Sequence, residues 1–235
     1  RVQNTIHCKC NFSHLHTRRS EKETKQMNDS KSNFEIQPIF PQLIYVSELE
    51  ISEKIREYVL DLEVTERYPF NFGSVNTYQL HEKNSEMIDL RSKIDGHIQN
   101  YTKEVYGDEF LKRCNPYITQ SWFNIVNPKG YHHPHDHHNS FISGILYIQT
   151  VENDVVEFIE SDFGKIRYSD IRKCHVPVLT GKLLIFNSNL MHGVPPNMYQ
   201  TKNRISLSFN TFVEGYIGDD VLLTKTFLSK HEKYK

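Results

Sequence analysis

SFISGILYIQT, residues 140–150, is one of several short apolar runs that follow one another through the second half of the chain. Gly, Pro, Asn and Asp separate it from similar runs, among them YITQSWFNIV, GKLLIFN and RISLSFNTFVE. Runs rich in β-branched and aromatic residues and bounded by turn residues are typical of strands. Because no helical pattern intervenes, we expect an antiparallel sandwich or jelly roll from Tyr117 onward.

Two helices are expected before this β domain. Ser47 is a plausible N-cap for a first helix that runs to about Val64. The second spans residues 87–106, where apolar side chains recur at steps of four, three and four, at Ile94, Ile98, Tyr101 and Val105. Pro38 and Pro41 permit an edge strand at most in residues 34–49. The predicted fold class is therefore α+β and mainly β, a jelly roll backed by two N-terminal helices.

Residues 1–33 are predicted to be a disordered polar tail, and residues 34–235 to form one domain. The tail is charged and polar and shows almost no apolar periodicity, which is typical of chains that cannot bury enough surface to fold. A zinc site could be drawn in it, but the spacing fits none of the usual patterns and an unstructured tail is preferred. The candidate ligands are His7, Cys8, Cys10, His14 and His16.

The composition limits the partners that we expect. The 28 basic and 29 acidic side chains nearly cancel, so no overall field attracts nucleic acid or an anionic membrane. No stretch approaches the roughly 18 apolar residues of a membrane helix, and no signal peptide is evident. Four scattered cysteines do not indicate a disulfide framework, and free thiols are expected. We therefore expect a soluble cytoplasmic protein.

A histidine-rich segment, YHHPHDHHNS at residues 131–140, is the candidate metal site. Residues two apart on an extended segment face the same side, so either His135 with His137 or His133 with His135 can act together. We favour His135 and His137, because Pro134 separates the other pair. A facial arrangement needs a third ligand from elsewhere, and His192, after the apolar strand GKLLIFN, is the best candidate.

Arg204 begins the run RISLSFN, twelve residues after His192. On a strand, Ser206 shares its face, whereas Ile205, Leu207 and Phe209 occupy the other. A buried arginine requires an anion, and its planar fork matches a carboxylate with two parallel hydrogen bonds. The sequence therefore places a candidate carboxylate receptor one strand away from the metal site.

These motifs resemble the Fe(II)- and 2-oxoglutarate-dependent oxygenases, in particular a bacterial and phage branch related to prolyl hydroxylases. The resemblance covers about residues 34–214, with the specific motifs between residues 122 and 210. The residues that match, in order, are Trp122, Asn124, His135, His137, Ser143, Gly144, Tyr147, His192, Arg204 and Ser206.

The resemblance implies a double-stranded β-helix that binds Fe(II), 2-oxoglutarate and oxygen and hydroxylates an unidentified protein side chain or small molecule, releasing succinate. His135, His137 and His192 would hold iron, and Arg204, the fourth catalytic residue, would hold the distal carboxylate of 2-oxoglutarate. The other residues expected to contact the cosubstrate are Ser206, Asn124, Tyr131, Ser143 and Tyr147.

One departure from the wider superfamily concerns the second metal ligand, which is usually a carboxylate and here is His137. An all-imidazole site carries one negative charge less, so catalysis is less firmly implied than metal binding. Two alternatives remain: a three-histidine jelly-roll dioxygenase that does not use 2-oxoglutarate, and a non-catalytic metal-binding or sugar-binding jelly roll. The pair Arg204 and Ser206 argues against the first alternative. Succinate formation would distinguish a 2-oxoglutarate-dependent oxygenase from both alternatives.

Overall fold

The computed structural model describes residues 41–160, 172–197 and 200–230. The predicted tail and residues 34–40, 161–171, 198–199 and 231–235 lie outside these ranges. The elements in chain order are β1 (Ile44–Glu48), α1 (Glu53–Leu60), β2 (Val64–Tyr68), β3 (Asn71–Ser74), a 3₁₀ turn (Gln79–His81), α2 (Ser85–Tyr106), α3 (Asp108–Leu111), β4 (Cys114–Val126), β5 (His132–His135), β6 (Ile142–Gln149), β7 (Val155–Ile159), β8 (Lys173–Pro177), β9 (Lys182–Asn187), β10 (His192–Val194), β11 (Arg204–Ile217) and β12 (Thr226–Leu228).

Two antiparallel sheets make up the β domain. The larger has the order β1-β9-β6-β11-β4-β3-β2, with β12 paired to β11, and the smaller has the order β5-β10-β7-β8. From β4 to β11 the chain passes back and forth between the sheets, since β4, β6, β9 and β11 lie in the larger one and β5, β7, β8 and β10 in the smaller one. This is the predicted jelly roll, and β1 lies at an edge of the larger sheet, as the prolines before it predicted.

The larger sheet is buried on both faces. Leu146 and Leu207 pack towards α1 and α2, in a cluster that includes Ile94 and Ile98. Neighbouring side chains of the same strands, such as Tyr147, point the other way into a second cluster with residues of the smaller sheet. The alternation predicted for β11 and the position of both helices on one outer face are therefore confirmed.

The start of the first helix differs from the prediction. Ser47 lies in β1, where it pairs with Leu183 of β9, and strand pairing places it away from any helix end. The helix begins at Glu53, and its N-cap is Ser52, whose hydroxyl accepts a hydrogen bond from the Ile55 N–H. β2 and β3 form a hairpin that the sequence did not predict, and β3 pairs with β4.

The prediction of free thiols holds for one of the two cysteines within the described residues, and Cys8 and Cys10 lie outside them. Cys114 is a buried free thiol, whereas Cys174 of β8 is disulfide-bonded, so the expectation of free thiols is wrong there. Pairing depends on the distance between thiols in the fold, which sequence spacing does not give. Among the described residues, no helix has the length and apolar character needed to cross a membrane.

Candidate metal centre and carboxylate pocket

Three histidines meet between the ends of two neighbouring strands. His135 is the last residue of β5 and pairs with His192, the first residue of β10. His137 lies two residues beyond β5, where its backbone N–H donates to the Ser188 carbonyl at 2.8 Å. One ring nitrogen from each lies within 4.8 Å of the other two. The fold therefore brings together the three residues that the sequence selected as metal ligands.

Hydrogen bonds fix which nitrogen two of these rings can offer to a metal. The Nδ1 of His135 lies 2.9 Å from the His133 carbonyl, and the Nδ1 of His192 lies 2.8 Å from the Leu190 carbonyl. A carbonyl can only accept, so Nδ1 carries the proton in both rings. Nε2 is then left as the metal-binding atom, the usual arrangement of ligating histidines.

His137 has a side-chain partner instead. Its Nδ1 lies 3.5 Å from Nδ2 of Asn210, and Oδ1 of Asn210 accepts a hydrogen bond from the Ser143 hydroxyl at 2.8 Å. Because the two ends of an amide are exchangeable in such a network, the Asn210 oxygen can face His137 while its NH₂ donates to Ser143. Nδ1 of His137 is then a donor, and Nε2 is free to bind metal.

Burial keeps the imidazoles neutral. Burial, together with the neighbouring His135 ring, lowers the pKa of His192 to about 3 and that of His137 to about 4. The pKa of His135 is also lowered, mainly by burial. A metal ligand must be deprotonated. These rings are therefore in the ligating state throughout the neutral range, and three imidazoles with open positions beside them fit a first-row transition metal such as iron.

The structure separates the two candidate histidine pairs. His133 packs against the ring of Tyr68, with ring centroids 4.7 Å apart, and is not in the cluster of three. Strand alternation did not make this distinction, since His137 lies outside β5.

His132 is a cavity residue that the sequence reading missed. It lines the same cavity and stacks on His135 with ring centroids 4.4 Å apart. Alternation places it opposite His135, but the pairing of β5 with β10 shifts register between His192 and Val194. Such an irregularity redirects side chains, and no pattern in the sequence marks it.

Arg204 lies at the inner end of this cavity and is 2% exposed. Its Nε donates to Asp154 Oδ2 at 2.8 Å, and its Nη2 contacts Asp154 Oδ1. The predicted bidentate fork is therefore occupied by a carboxylate of the protein itself. The third nitrogen, Nη1, is buried without a hydrogen-bond partner.

Tyr147 supplies a second unpartnered donor in the cavity. Its hydroxyl is buried and has no hydrogen-bond partner. Burial, reinforced by the nearby Asp154, raises the pKa of Tyr147, so the phenol keeps its proton. Unpaired buried polar groups are rare because each costs about 1–3 kcal/mol. Arg204 Nη1 and the Tyr147 hydroxyl together are suited to a carboxylate that enters the cavity.

The remaining predicted contacts divide into three groups. Ser206 lines the cavity beside Arg204. Asn124 and Ser143 also line it, but their polar atoms already bond Ser208 and Asn210. Tyr131 is 40% exposed and is not among the lining residues. The structure therefore does not bring Tyr131 to the cavity, where the resemblance had placed it.

Gly144 accounts for the close packing of the cavity floor. A Cβ at this position would lie 2.2 Å from the Phe209 ring of the neighbouring strand. A side chain here would require the Phe209 ring to move.

The chain is similar to several proteins of known family. A family model described as "Putative 2OG-Fe(II) oxygenase" matches residues 120–210. HygX from Streptomyces hygroscopicus, crystallised with nickel and 2-oxoglutarate, is 12% identical with a TM-score of 0.53, over 72% of this chain and 82% of that one. No curated protein matches the sequence.

Two further solved structures share the fold. A prolyl-4-hydroxylase from Pseudomonas putida is 14% identical with a TM-score of 0.50, over 72% of this chain and 92% of that one. SnoN, an α-ketoglutarate-dependent epimerase of nogalamycin biosynthesis, is 11% identical with a TM-score of 0.53, over 74% and 81%. At such identities the likeness establishes the jelly roll, and the reactions named for these proteins differ from one another.

Proposed function

We propose that this chain is an Fe(II)- and 2-oxoglutarate-dependent oxygenase, which the family model over residues 120–210 supports, and that it oxidises a C–H bond of its substrate. The observation that carries the proposal is the content of one cavity. Three neutral imidazoles lie at one side of it, and two unpartnered donors, Arg204 Nη1 and the Tyr147 hydroxyl, lie in its wall. A ligand that chelates a metal at one end and carries a carboxylate at the other would suit the imidazoles with its chelating end and the two donors with its carboxylate.

Each of these residues would have a distinct binding role. His135, His137 and His192 would hold iron through Nε2, and the backbone carbonyls behind the first and last keep those rings in the ligating tautomer. Arg204 and Tyr147 would bind the distal carboxylate, and the closely packed wall around them would exclude water. Bound iron, oxygen and 2-oxoglutarate supply the oxidant, with decarboxylation of 2-oxoglutarate to succinate.

We propose hydroxylation as the reaction, in line with the prolyl-4-hydroxylase among the similar structures, although SnoN is an epimerase. The substrate would be a protein side chain or a small molecule. The β2–β3 hairpin lies beside the cavity, because Tyr68 contacts the ring of His132, which lines it. The two unpartnered donors favour this function over a three-histidine dioxygenase that does not use 2-oxoglutarate.

Ligand-linked stability tests the binding half of the proposal. Mn(II) and 2-oxoglutarate, added together to protein stripped by a chelator, should raise the melting temperature. At about one hundred times the dissociation constant, a ligand that binds only the folded state stabilises it by roughly 2.7 kcal/mol per independent site. Thermal denaturation with Mn(II) alone, with 2-oxoglutarate alone and with both ligands measures the stabilisation that each ligand contributes. No shift with the pair would refute the assignment.

Succinate formation tests the reaction. With Fe(II), ascorbate and oxygen, the protein should convert 2-oxoglutarate to succinate slowly even without its substrate. Either alternative, a dioxygenase without 2-oxoglutarate or a non-catalytic metal-binding jelly roll, predicts no succinate above the level of a His137→Ala control.

Tyr147→Phe isolates the second carboxylate donor. A hydrogen bond to a charged group contributes about 1.5–3 kcal/mol, so the dissociation constant for 2-oxoglutarate should rise at least about tenfold. Stability should not fall, because the hydroxyl that is removed has no partner in the protein. Calorimetry in the presence of Mn(II) measures the change. Tyr58→Phe, which removes a hydroxyl bonded to Gln79 elsewhere, is the matched control and should leave the affinity unchanged.

A further inference from the structure

Asp154 is held rigidly behind Arg204. It follows a tight turn in which Asn153 has a φ of 54°, and its Oδ2 accepts from the Val151 N–H at 3.3 Å as well as from Arg204. Its side chain is 0% exposed and that of Arg204 is 2% exposed. Unlike Arg204, Asp154 is not among the residues that line the cavity. A full negative charge therefore lies just outside the proposed carboxylate pocket.

This placement opposes cosubstrate binding. The carboxylate of 2-oxoglutarate is attracted by the arginine and repelled by the aspartate, and inside a protein neither charge is well screened. An arginine with no counter-ion would bind the carboxylate more tightly, but it would be costly to bury while the cavity holds no anion.

We propose, as a refinement that rests on the proposed function, that Asp154 is the resident counter-ion of Arg204 and sets the cosubstrate affinity. It neutralises the arginine when 2-oxoglutarate is absent, and it holds down the affinity when 2-oxoglutarate binds. An ion pair that serves stability alone has a different consequence. Breaking such a pair weakens the folded protein equally with and without 2-oxoglutarate and leaves the dissociation constant unchanged.

Asp154→Asn distinguishes the two cases, since it removes the charge while keeping the shape and an acceptor oxygen. Without ligand, the variant should melt at a lower temperature than the wild type. Its dissociation constant for 2-oxoglutarate, measured by calorimetry with Mn(II), should fall at least about tenfold. The reason is that the repulsion between Asp154 and the distal carboxylate is lost, which acts across several ångströms at an effective dielectric constant near 20. Saturating 2-oxoglutarate should therefore restore much of the lost melting temperature.

Glu157→Gln is the matched control. Glu157 lies three residues further along, on β7, and is paired with Lys173 and His175 at 3.2 and 2.7 Å. Glu157→Gln removes one negative charge three residues from Asp154 without touching the cavity, so the affinity for 2-oxoglutarate should not change. An unchanged or weaker affinity in Asp154→Asn overturns the proposal. A wild type that does not bind 2-oxoglutarate overturns the proposed function instead.

A measurement on the wild type covers the case in which Asp154→Asn fails to fold. The distal amide analogue of 2-oxoglutarate replaces the repelled carboxylate by a neutral group of similar shape. If Asp154 neutralises the receptor, the wild type should prefer 2-oxoglutarate over this amide by no more than about one hundredfold, the upper range of one charge-assisted hydrogen bond. A preference above about one hundredfold indicates an uncompensated arginine and overturns the proposal.

Discussion

Arg204→Ala should lower the free energy of unfolding by about 3–5 kcal/mol, the usual cost of leaving one partner of a buried ion pair alone. The partner left behind is Asp154, whose side chain is 0% exposed and loses two contacts. Binding of 2-oxoglutarate should be lost in the same variant, since one of the two unpartnered donors of the cavity is removed. Urea denaturation and calorimetry with Mn(II) measure the two effects.

A double variant separates these effects. Replacing a buried ion pair by apolar residues of similar volume is often neutral or stabilising. Arg204→Met with Asp154→Leu should therefore recover most of the lost stability while still failing to bind 2-oxoglutarate. If Arg204→Ala is as stable as the wild type, the pair is not the buried, paired unit described here. If the double variant binds 2-oxoglutarate normally, Arg204 is not its receptor.

The sequence predicted most of β11 correctly because the period of a strand is two. Apolar and polar residues alternate from Arg204 to Phe209, and the structure places one set against the helices and the other in the cavity. The three histidines were selected from alternation within the histidine-rich segment and from the apolar strand before His192, and the structure brings their ring nitrogens together. Local pattern carries this information without knowledge of the fold.

Asp154 could not be predicted in this way. It lies 50 residues before Arg204, in a turn whose composition is ordinary for a turn. The sequence showed that Arg204 needed an anion, but the nearest anion depends on which loop lies beside the first residue of β11. That is a property of the topology, in which β7 and β11 belong to different sheets.

The sequence also could not show which of two similar residues takes a given position. Ser47 and Ser52 both precede a helical pattern, and the pairing of β1 with β9 decides between them. His132 enters the cavity through a register shift, which depends on the partner strand rather than on its own sequence. In each case a long-range contact overrides a local preference.

His137→Ala and His192→Ala should each abolish stoichiometric metal binding. A facial site of three imidazoles has no spare ligand, so the loss should exceed the roughly 10–100-fold reduction in affinity that follows removal of an outer-shell partner. Metal content per chain, measured after equilibration with Fe(II) or Mn(II) and desalting, reports this without requiring activity. Succinate formation should disappear in both variants.

The controls come from the same histidine-rich segment. His133→Ala removes a ring that packs on Tyr68 outside the cluster, and it keeps the backbone carbonyl that holds His135, so metal content should be nearly unchanged. His137→Asp should retain metal, because it restores the carboxylate of the commoner facial site, although the shorter side chain reaches less far.

His137 is the more informative of the two ligand positions. His192 is buried against Phe158 and Phe186, so its removal also leaves a space in the core and lowers stability. His137 lies in a partly exposed loop, where truncation removes little packing, and a metal-free but stable His137→Ala protein would assign the loss to ligation alone. If His133→Ala instead empties the site and His137→Ala leaves it filled, the metal is held by the other pair of histidines.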